Sequence, residues 1–326
     1  MFKIHKINPR AKSEINTGFG VNSSDYGGRF INKNGNPNIE KKGVGYFEKI
    51  SWYHILLDMS RWKFLFTIIL FYLFINLLFT VIYYFLGLTE FGGTATASHL
   101  RQFAEAFFFS SQSFTIGGYG RVSPDNLLMN ALCALEAFLG LLSLAVVTGL
   151  LYGRFSRPKA YIKYSGNALL APFQNGLAIM LRLAPFKNTT LTDAEAKVTL
   201  GIIVEENGKM INKFYQLLLE YKSVNSLTLS WTIVHPITET SPFYNFTEED
   251  FKNASGEILV FVKAFDDMFS NTVVSRTSYT LNEIVIGAKF NPMYHRSEKE
   301  NKTLLFLDKL NSFSSAEINF NSEIKR

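Results

Sequence analysis

The chain reads as a membrane α-helical unit joined to an all-β unit. Two transmembrane helices enclose a re-entrant helix and a glycine-rich loop, and a β-sandwich follows. Three observations carry this fold class. Phe64 to Leu88, FLFTIILFYLFINLLFTVIYYFLGL, is uncharged and apolar, and Leu127 to Tyr152 is a second such run broken by one acid, Glu136. Each meets the roughly twenty apolar residues that a bilayer crossing needs. The loop between them is too apolar for a plain connector. Beyond Pro158, short strand-like runs alternate with turn-rich pieces. Composition agrees: 47% hydrophobic residues, 31 phenylalanines and 18% charged residues make an apolar, aromatic chain of 326 residues, long enough for two domains.

The expected organisation is an N-terminal segment over 1–45, an interfacial helix over 46–62, a membrane unit over 63–157 and a β-unit over 158–326. Met1 to Arg10 is polar and basic with no apolar stretch behind it, so no cleavable signal peptide is expected. NTGFGVNSSDYGGRFINKNGNPN, Asn16 to Asn38, is rich in Gly and Asn and by itself reads as a flexible tail. FEKISWYHILLDMSRW, Phe47 to Trp62, has apolar and aromatic residues at helical spacing. It would lie flat on the membrane surface or pack as an ordinary amphipathic helix on protein.

In the first span Asn76 is the one strongly polar side chain, and Tyr83 and Tyr84 suit a membrane interface. HLRQFAEAFFFSSQSF, His99 to Phe114, reads as a short helix with an aromatic patch. It runs into TIGGYGR, Thr115 to Arg121, and back to the second span. Non-helical backbone at membrane depth is tolerated only where it is buried in protein or lines a cavity. The glycines permit dihedrals that turn successive carbonyls one way, so that they can replace an ion's hydration shell. The partly negative C-terminal end of the short helix would favour a cation. As a dinucleotide loop the stretch fails, because it lacks a third glycine at the right spacing and neither a strand nor a helix N-terminus flanks it properly.

Lys41, Lys42, Lys49, Arg61 and Lys63 precede the first span, and Arg154, Arg157, Lys159 and Lys163 follow the second. Between the spans stand only Arg101 and Arg121. The positive-inside rule puts both termini in the cytoplasm. The charge of +6 and pI near 9.1 are confined to these segments and point to a membrane, not nucleic acid. The single cysteine, Cys133, excludes an intrachain disulfide and a multi-cysteine metal site. The five histidines are scattered and no G-x-S-x-G motif occurs, so enzyme chemistry and a cofactor are not expected. Beyond Pro158, LAIMLRLA, KVTLGIIV, KFYQLLLEY, SLTLSWTIVH, GEILVFVKAF, TVVSRTSY and NEIVIGAKF are the strand-like runs, separated by pieces such as EENGK and KNASG. Their spacing suggests a sandwich.

Taken together, GFG with GGRFINKNGNPN, FSRPKA, WTIVHPITETSPFYNFTEEDF and SRTSYTLNEIVIGAKF resemble the signatures of the inward-rectifier potassium channel family, in its prokaryotic branch. GGYG resembles the end of that family's T-V-G-Y-G filter. The resemblance spans nearly the whole chain. It implies a homotetramer in the bacterial inner membrane, K⁺ as the permeant ion, and immunoglobulin-like cytoplasmic domains. The filter would be Thr115, Ile116, Gly117, Gly118, Tyr119 and Gly120, with inward carbonyls from Ile116, Gly117, Gly118 and Tyr119. Tyr152 stands at the place of the inner gate, or is a packing aromatic. The loop Ala264 to Asn271, with Phe269 and Ser270, matches a cytoplasmic constriction. Asp193 matches a ring acid of the cytoplasmic pore, or is a solvated surface acid. Arg61, Lys63, Arg154, Arg157 and Lys159 lie where the family binds anionic phospholipid, and plain positive-inside anchoring is the other reading.

The chain also departs from the family pattern. Gln112 stands where an acid often supports the filter, which puts the usual bridge to Arg121 in doubt. Leu144 replaces the cavity acid of strong rectifiers. Glu136 would either concentrate cations around the axis or hydrogen-bond behind its own filter, the reading favoured by its place in the outer half of the helix. Aligned from GYG without insertion, Gly117 replaces Val or Ile and Ile116 replaces Thr. An inserted glycine is the alternative. The substituted loop loses a hydroxyl and gains flexibility, which implies weaker K⁺ over Na⁺ selectivity or low conductance. A membrane-anchored lipid or ligand sensor, non-conducting or non-selective, is the competing reading.

Overall fold

A computed structural model describes residues 7–14, 16–18, 29–45, 48, 50–86, 98–118, 126–206, 209–297, 301–318 and 320. The chain divides into two compact units, Lys42–Arg157 and the combination of Met1–Lys41 with Pro158–Arg326.

The first unit is helical. Helix α1 is Trp52–Asp58, α2 is Arg61–Phe85, α3 is His99–Phe114 and α4 is Leu127–Phe155. Helices α2 and α4 are long and apolar enough to cross a membrane. The stretch expected as one interfacial helix over 46–62 is shorter, because Met59 and Ser60 are extended (ψ 150° and 155°) and break it. Arg61 and Trp62 therefore belong to the spanning helix, three residues before the apolar run begins. Its expected end at Leu88 falls outside the described residues. The second span continues to Phe155, where the backbone N–H of Ser156 still reaches Tyr152 O. The short helix covers His99–Phe114, as its aromatic patch indicated. Tyr83 is fully buried, with Phe79, Ala106, Phe109 and Met129, so its ring packs on protein.

The second unit is a sandwich of two five-stranded sheets. One holds β1 (Ile162–Tyr164), β2 (Ala168–Phe173), β3 (Gly176–Pro185), β7 (Trp231–Pro236) and β10 (Ile284–Ile286). The other holds β4 (Leu191–Glu206), β5 (Lys209–Leu217), β6 (Ser223–Ser226), β8 (Gly256–Asp266) and β9 (Asn271–Thr280). Alternating residues of β4 (Ala196, Val198, Leu200, Ile202) and β8 (Ile258, Val260, Val262, Ala264) meet Ile179, Leu181 and Leu183 of β3 in one core. That is the period-two pattern of strands with one buried face. The sequence reading missed β1 and β2 and extended the run after Gln216 too far, since β5 ends at Leu217.

The N-terminal stretch is not a loose tail where it is described. Phe30 packs with Phe214 and Leu259 above Gly201, where an added Cβ would stand 2.9 Å from the Phe214 ring. The buried Glu257 carboxylate accepts the N–H groups of Phe30 (2.6 Å) and Ile31 (3.3 Å). Burial pushes the Glu257 pKa up, against hydrogen bonds from Ser278, Phe30 and Ile31 that lower it. Arg29 and Lys33 pair with Glu283. Ser13 forms a bridge to Tyr215 on the edge of β5.

Candidate functional site

Helix α3 ends in a cap that sets the loop. The N–H of Ile116 reaches Ser113 O (3.1 Å) and that of Gly117 reaches Gln112 O (2.8 Å). This is the paired closure of a Schellman cap, whose left-handed position normally belongs to glycine. Here it is Ile116, at φ 58°. A β-branched residue in this region is strained, by about 1–2 kcal/mol. Gly118 is left-handed again at φ 46°, and Gly117 between them is not. Alternating handedness turns successive carbonyls to one side of the chain, the arrangement a carbonyl-lined ion path requires. Gly117 occupies the cap position that usually makes a hydrophobic contact back onto the helix. A Cβ there would meet only Thr115 Oγ1 (3.6 Å) and Gln112 O (3.7 Å), so the space for a side chain is open. The Thr115 hydroxyl turns back to Ser111 O (2.7 Å). Gln112 contributes its backbone carbonyl. Tyr119, Gly120 and Arg121 lie outside the described residues.

Behind the loop, α2 and α4 grip α3 through buried polar groups. Glu136 is fully buried. It accepts hydrogen bonds from Ser110 Oγ (2.5 Å) and from Tyr83 Oη (2.7 Å). Ser110 Oγ also lies 3.2 Å from Asn76 O, and the Tyr72 and Ser111 hydroxyls are paired. Glu136 of α4 thus bonds one side chain of α2 and one of α3. One turn further along α4, Gly140 lies against the backbone of Phe114: an added Cβ would stand 1.9 Å from Phe114 O. Successive turns of α4 thus meet successive turns of α3, at Ser110 and at Phe114. Gly140, Ser110 and Tyr83 were not singled out from the sequence as supports. A glycine one turn after an intramembrane acid was the available signal, since small residues allow helix backbones to approach closely.

Towards the C-terminal end of α4, Tyr152 is 74% exposed, and Leu144, about two turns earlier, is 63% exposed in the single chain. Arg154 is tied to α1 and to its C-cap. Its guanidinium donates to Leu56 O (2.6 Å), Leu57 O (3.1 Å) and Met59 O (2.7 Å), and lies 4.4 Å from the Phe64 ring centroid. Two of these are among the last carbonyls of α1, which no helical N–H can reach, and the third belongs to its C-cap Met59. Beside it a Cβ on Gly153 would come within 3.3 Å of Tyr53 Oη, and Arg157 pairs with Asp58 at 2.7 Å. Arg61 and Lys63 are exposed, and Lys159, exposed too, belongs to the other unit.

In that unit Asp193 sits in a bulge of β4, left-handed at φ 46° and exposed. Phe269 and Ser270 (φ 46°) form the tip of the β8–β9 turn. The turn is held by Asp266 Oδ1, which accepts from Met268 N (3.0 Å). His235 is a core residue: it bonds Leu218 O (2.6 Å) and Ser241 Oγ (2.8 Å), and burial lowers its pKa to about 4.

Comparison with known proteins decides the family. Residues 162–320 match the model of the inward rectifier potassium channel C-terminal domain. The chain is 33% identical over 267 residues to the inward rectifier potassium channel Kirbac3.1 of Paramagnetospirillum magnetotacticum, covering 80% of this chain and 88% of that protein. The chain belongs to the inward rectifier potassium channel family. More distant members include inward rectifier potassium channel irk-1 of Caenorhabditis elegans, 25% identical over 82% of this chain and 54% of that one. Human inward rectifier potassium channel 18 is 26% identical over 84% of this chain and 68% of that protein. The inward rectifier's fold class is accordingly two apolar helices with a re-entrant helix between them and a C-terminal β-sandwich. The matched C-terminal domain begins at the first residue of β1.

Proposed function

We propose that this chain is one subunit of a passive potassium channel in which four copies surround a common axis. The loop from Thr115 to Gly120 forms the ion path, with carbonyls of Ile116, Gly117, Gly118 and Tyr119 directed inward. The observation that carries this reading is the alternation of left-handed backbone at Ile116 and Gly118, at the C-terminal end of a short helix placed between two membrane-length helices. One chain offers one carbonyl at each level, and dehydrating K⁺ requires a ring of them, as four loops supply. Tyr152, projecting from α4, is the inner gate, and Phe269 with Ser270 form a second constriction. Both termini face the cytoplasm. Anionic phospholipids act at Arg61, Lys63, Arg157 and Lys159, at about 1 kcal/mol per basic residue, while Arg154 holds α1. Leu144 leaves the cavity without an acid, so rectification by cytoplasmic polycations is weak. The reading is tested by Rb⁺ uptake into liposomes containing the purified protein, with and without anionic phosphoinositide. Uptake blocked by Ba²⁺ is expected. Absence of uptake under both lipid conditions would favour the non-conducting sensor.

A further inference from the structure

On the outer face of the second sheet, three residues stand in one cross-strand row. Lys197 of β4 is paired in register with Phe261 of β8, and Phe261 with Arg276 of β9. The Arg276 guanidinium lies 5.3 Å from the Phe261 ring centroid. Elsewhere in this unit the N-terminal cations Arg10, Arg29 and Lys33 have carboxylate partners. Among the described residues Lys197 and Arg276 have none. Two positive charges with no ion-pair partner among the described residues therefore flank an aromatic ring, and the one carboxylate lining the same cavity among those residues, that of Glu14, is not paired with either.

The row is the floor of a cavity of about 490 Å³. Glu14 and Thr17 form one wall and Ile31 another, while Gln216 and Thr199 add hydrogen-bonding groups. Both walls come from the N-terminal segment, and each is anchored independently of the cavity. The first is held by the Ser13–Tyr215 bridge and by Glu14 N to Phe214 O at 2.8 Å. The second is held by the Glu257 carboxylate and the Phe30 cluster. A cavity whose walls are fixed in advance binds with little ordering cost. Its volume is that of a small-molecule site.

We propose that this cavity binds an aromatic organic anion. The flat group lies on Phe261 and the phosphate or carboxylate is shared by Lys197 and Arg276. Because the walls belong to the N-terminal segment and the floor to the sheet, an occupant binds better when the segment is docked, and so favours docking. The site is separate from the ion path, and it is tested without any measurement of conduction.

The test is calorimetry of the full-length purified protein with 1-naphthyl phosphate, with 1-naphthol and inorganic phosphate as partial probes. Binding of 1-naphthyl phosphate is expected, with both partial probes at least about tenfold weaker. Lys197→Ala and Arg276→Ala should each raise its Kd about tenfold, the loss of one charge-assisted hydrogen bond. Both residues are exposed, so the variants are expected to fold, and their retained unfolding temperature checks this. Hydrogen exchange should slow at residues 12–14 and 29–31 together when the probe binds. Equal affinity in wild type and both variants would overturn the proposal, as would no binding at millimolar probe. Binding without added protection at either wall would overturn the linkage to the N-terminal segment.

Discussion

The close approach of α4 to the end of α3 makes Gly140→Ala the most informative single change in the membrane unit. The added methyl would stand 1.9 Å from Phe114 O and 2.9 Å from its carbonyl carbon. A carbon normally approaches a carbonyl oxygen no closer than about 3.4 Å, so the helices must separate by about 1.5 Å. The neighbouring atoms are backbone, and no side-chain rotation relieves the clash. Overpacking of this kind destabilises by about 1–3 kcal/mol, and the displacement falls on Phe114, one residue before the cap that sets Ile116 and Gly117. Reduction of Rb⁺ uptake by about tenfold or more is expected, following the factor of ten per 1.4 kcal/mol, with a lower unfolding temperature. Gly149→Ala on the same helix is the control: nothing lies within 4 Å of its added Cβ, and alanine favours the helix by roughly 0.5–1 kcal/mol. Gly140→Ala with wild-type uptake and stability would refute the backbone contact as a support of the filter.

Three further outcomes follow from the geometry. Arg154→Lys replaces three guanidinium bonds, two to α1 carbonyls and one to the carbonyl of its C-cap Met59, with a point charge that cannot reproduce their fork. A helix of 7 residues has little stability of its own, so amide exchange over Trp52–Asp58 should rise at least tenfold, whereas Arg157→Lys, at an exposed pair, should change little. Equal exchange in the two variants would contradict the clamp. Phe30→Ala should weaken docking of the N-terminal segment by about 3 kcal/mol, read as faster protease cleavage after residue 29; unchanged cleavage would count against the anchor. His235 titrates near 4 when folded and near 6.5 when unfolded. Between these values the unfolded chain holds a proton that the folded one does not, so stability is lost as pH falls from 6.5 towards 4, by about 3 kcal/mol. A pH profile of unfolding that has the same slope in wild type and His235→Gln would refute this.

Local pattern revealed much of this architecture. The unbroken apolar runs and the aromatic patch marked α2, α3 and α4, because helix formation in a membrane depends on composition over many residues. Alternation marked β3, β4, β8 and β9. What stayed hidden depends on partners distant in sequence. For Arg154 the sequence displays only a positive charge beside a span; the carbonyls of Leu56, Leu57 and Met59 that it holds lie nearly a hundred residues away. Phe30 looked like part of a tail because its neighbours are Gly and Asn, and only Gly201, Phe214 and Glu257 on the sheet make it an anchor. Strands β1 and β2 were missed although Ser165-Gly166-Asn167 and Asn175-Gly176 mark turns on either side of β2; they are only three and six residues long, too short for alternation to show. Glu136 stood out as an acid within an apolar run, but Ser110 and Tyr83, which donate to it, are ordinary residues until the helices are packed. At the loop, the sequence showed that Ile116 and Gly117 are unusual. The backbone supplies the reason it matters: Ile116 fills a cap position suited to glycine, and Gly117 leaves the adjoining contact empty.

The account therefore rests on the loop's inner end, and ionic selectivity tests it most directly. Reversal potentials would be measured in bi-ionic K⁺/Na⁺ on reconstituted wild type and on an Ile116→Thr, Gly117→Val double variant. The open space at Gly117 accepts the valine, and threonine restores a hydroxyl at the innermost site. The account predicts a K⁺-permeable wild type with measurable Na⁺ permeation, and a shift of the double variant towards the K⁺ equilibrium potential. Strict K⁺ selectivity in the wild type, with no further shift in the double variant, would contradict it.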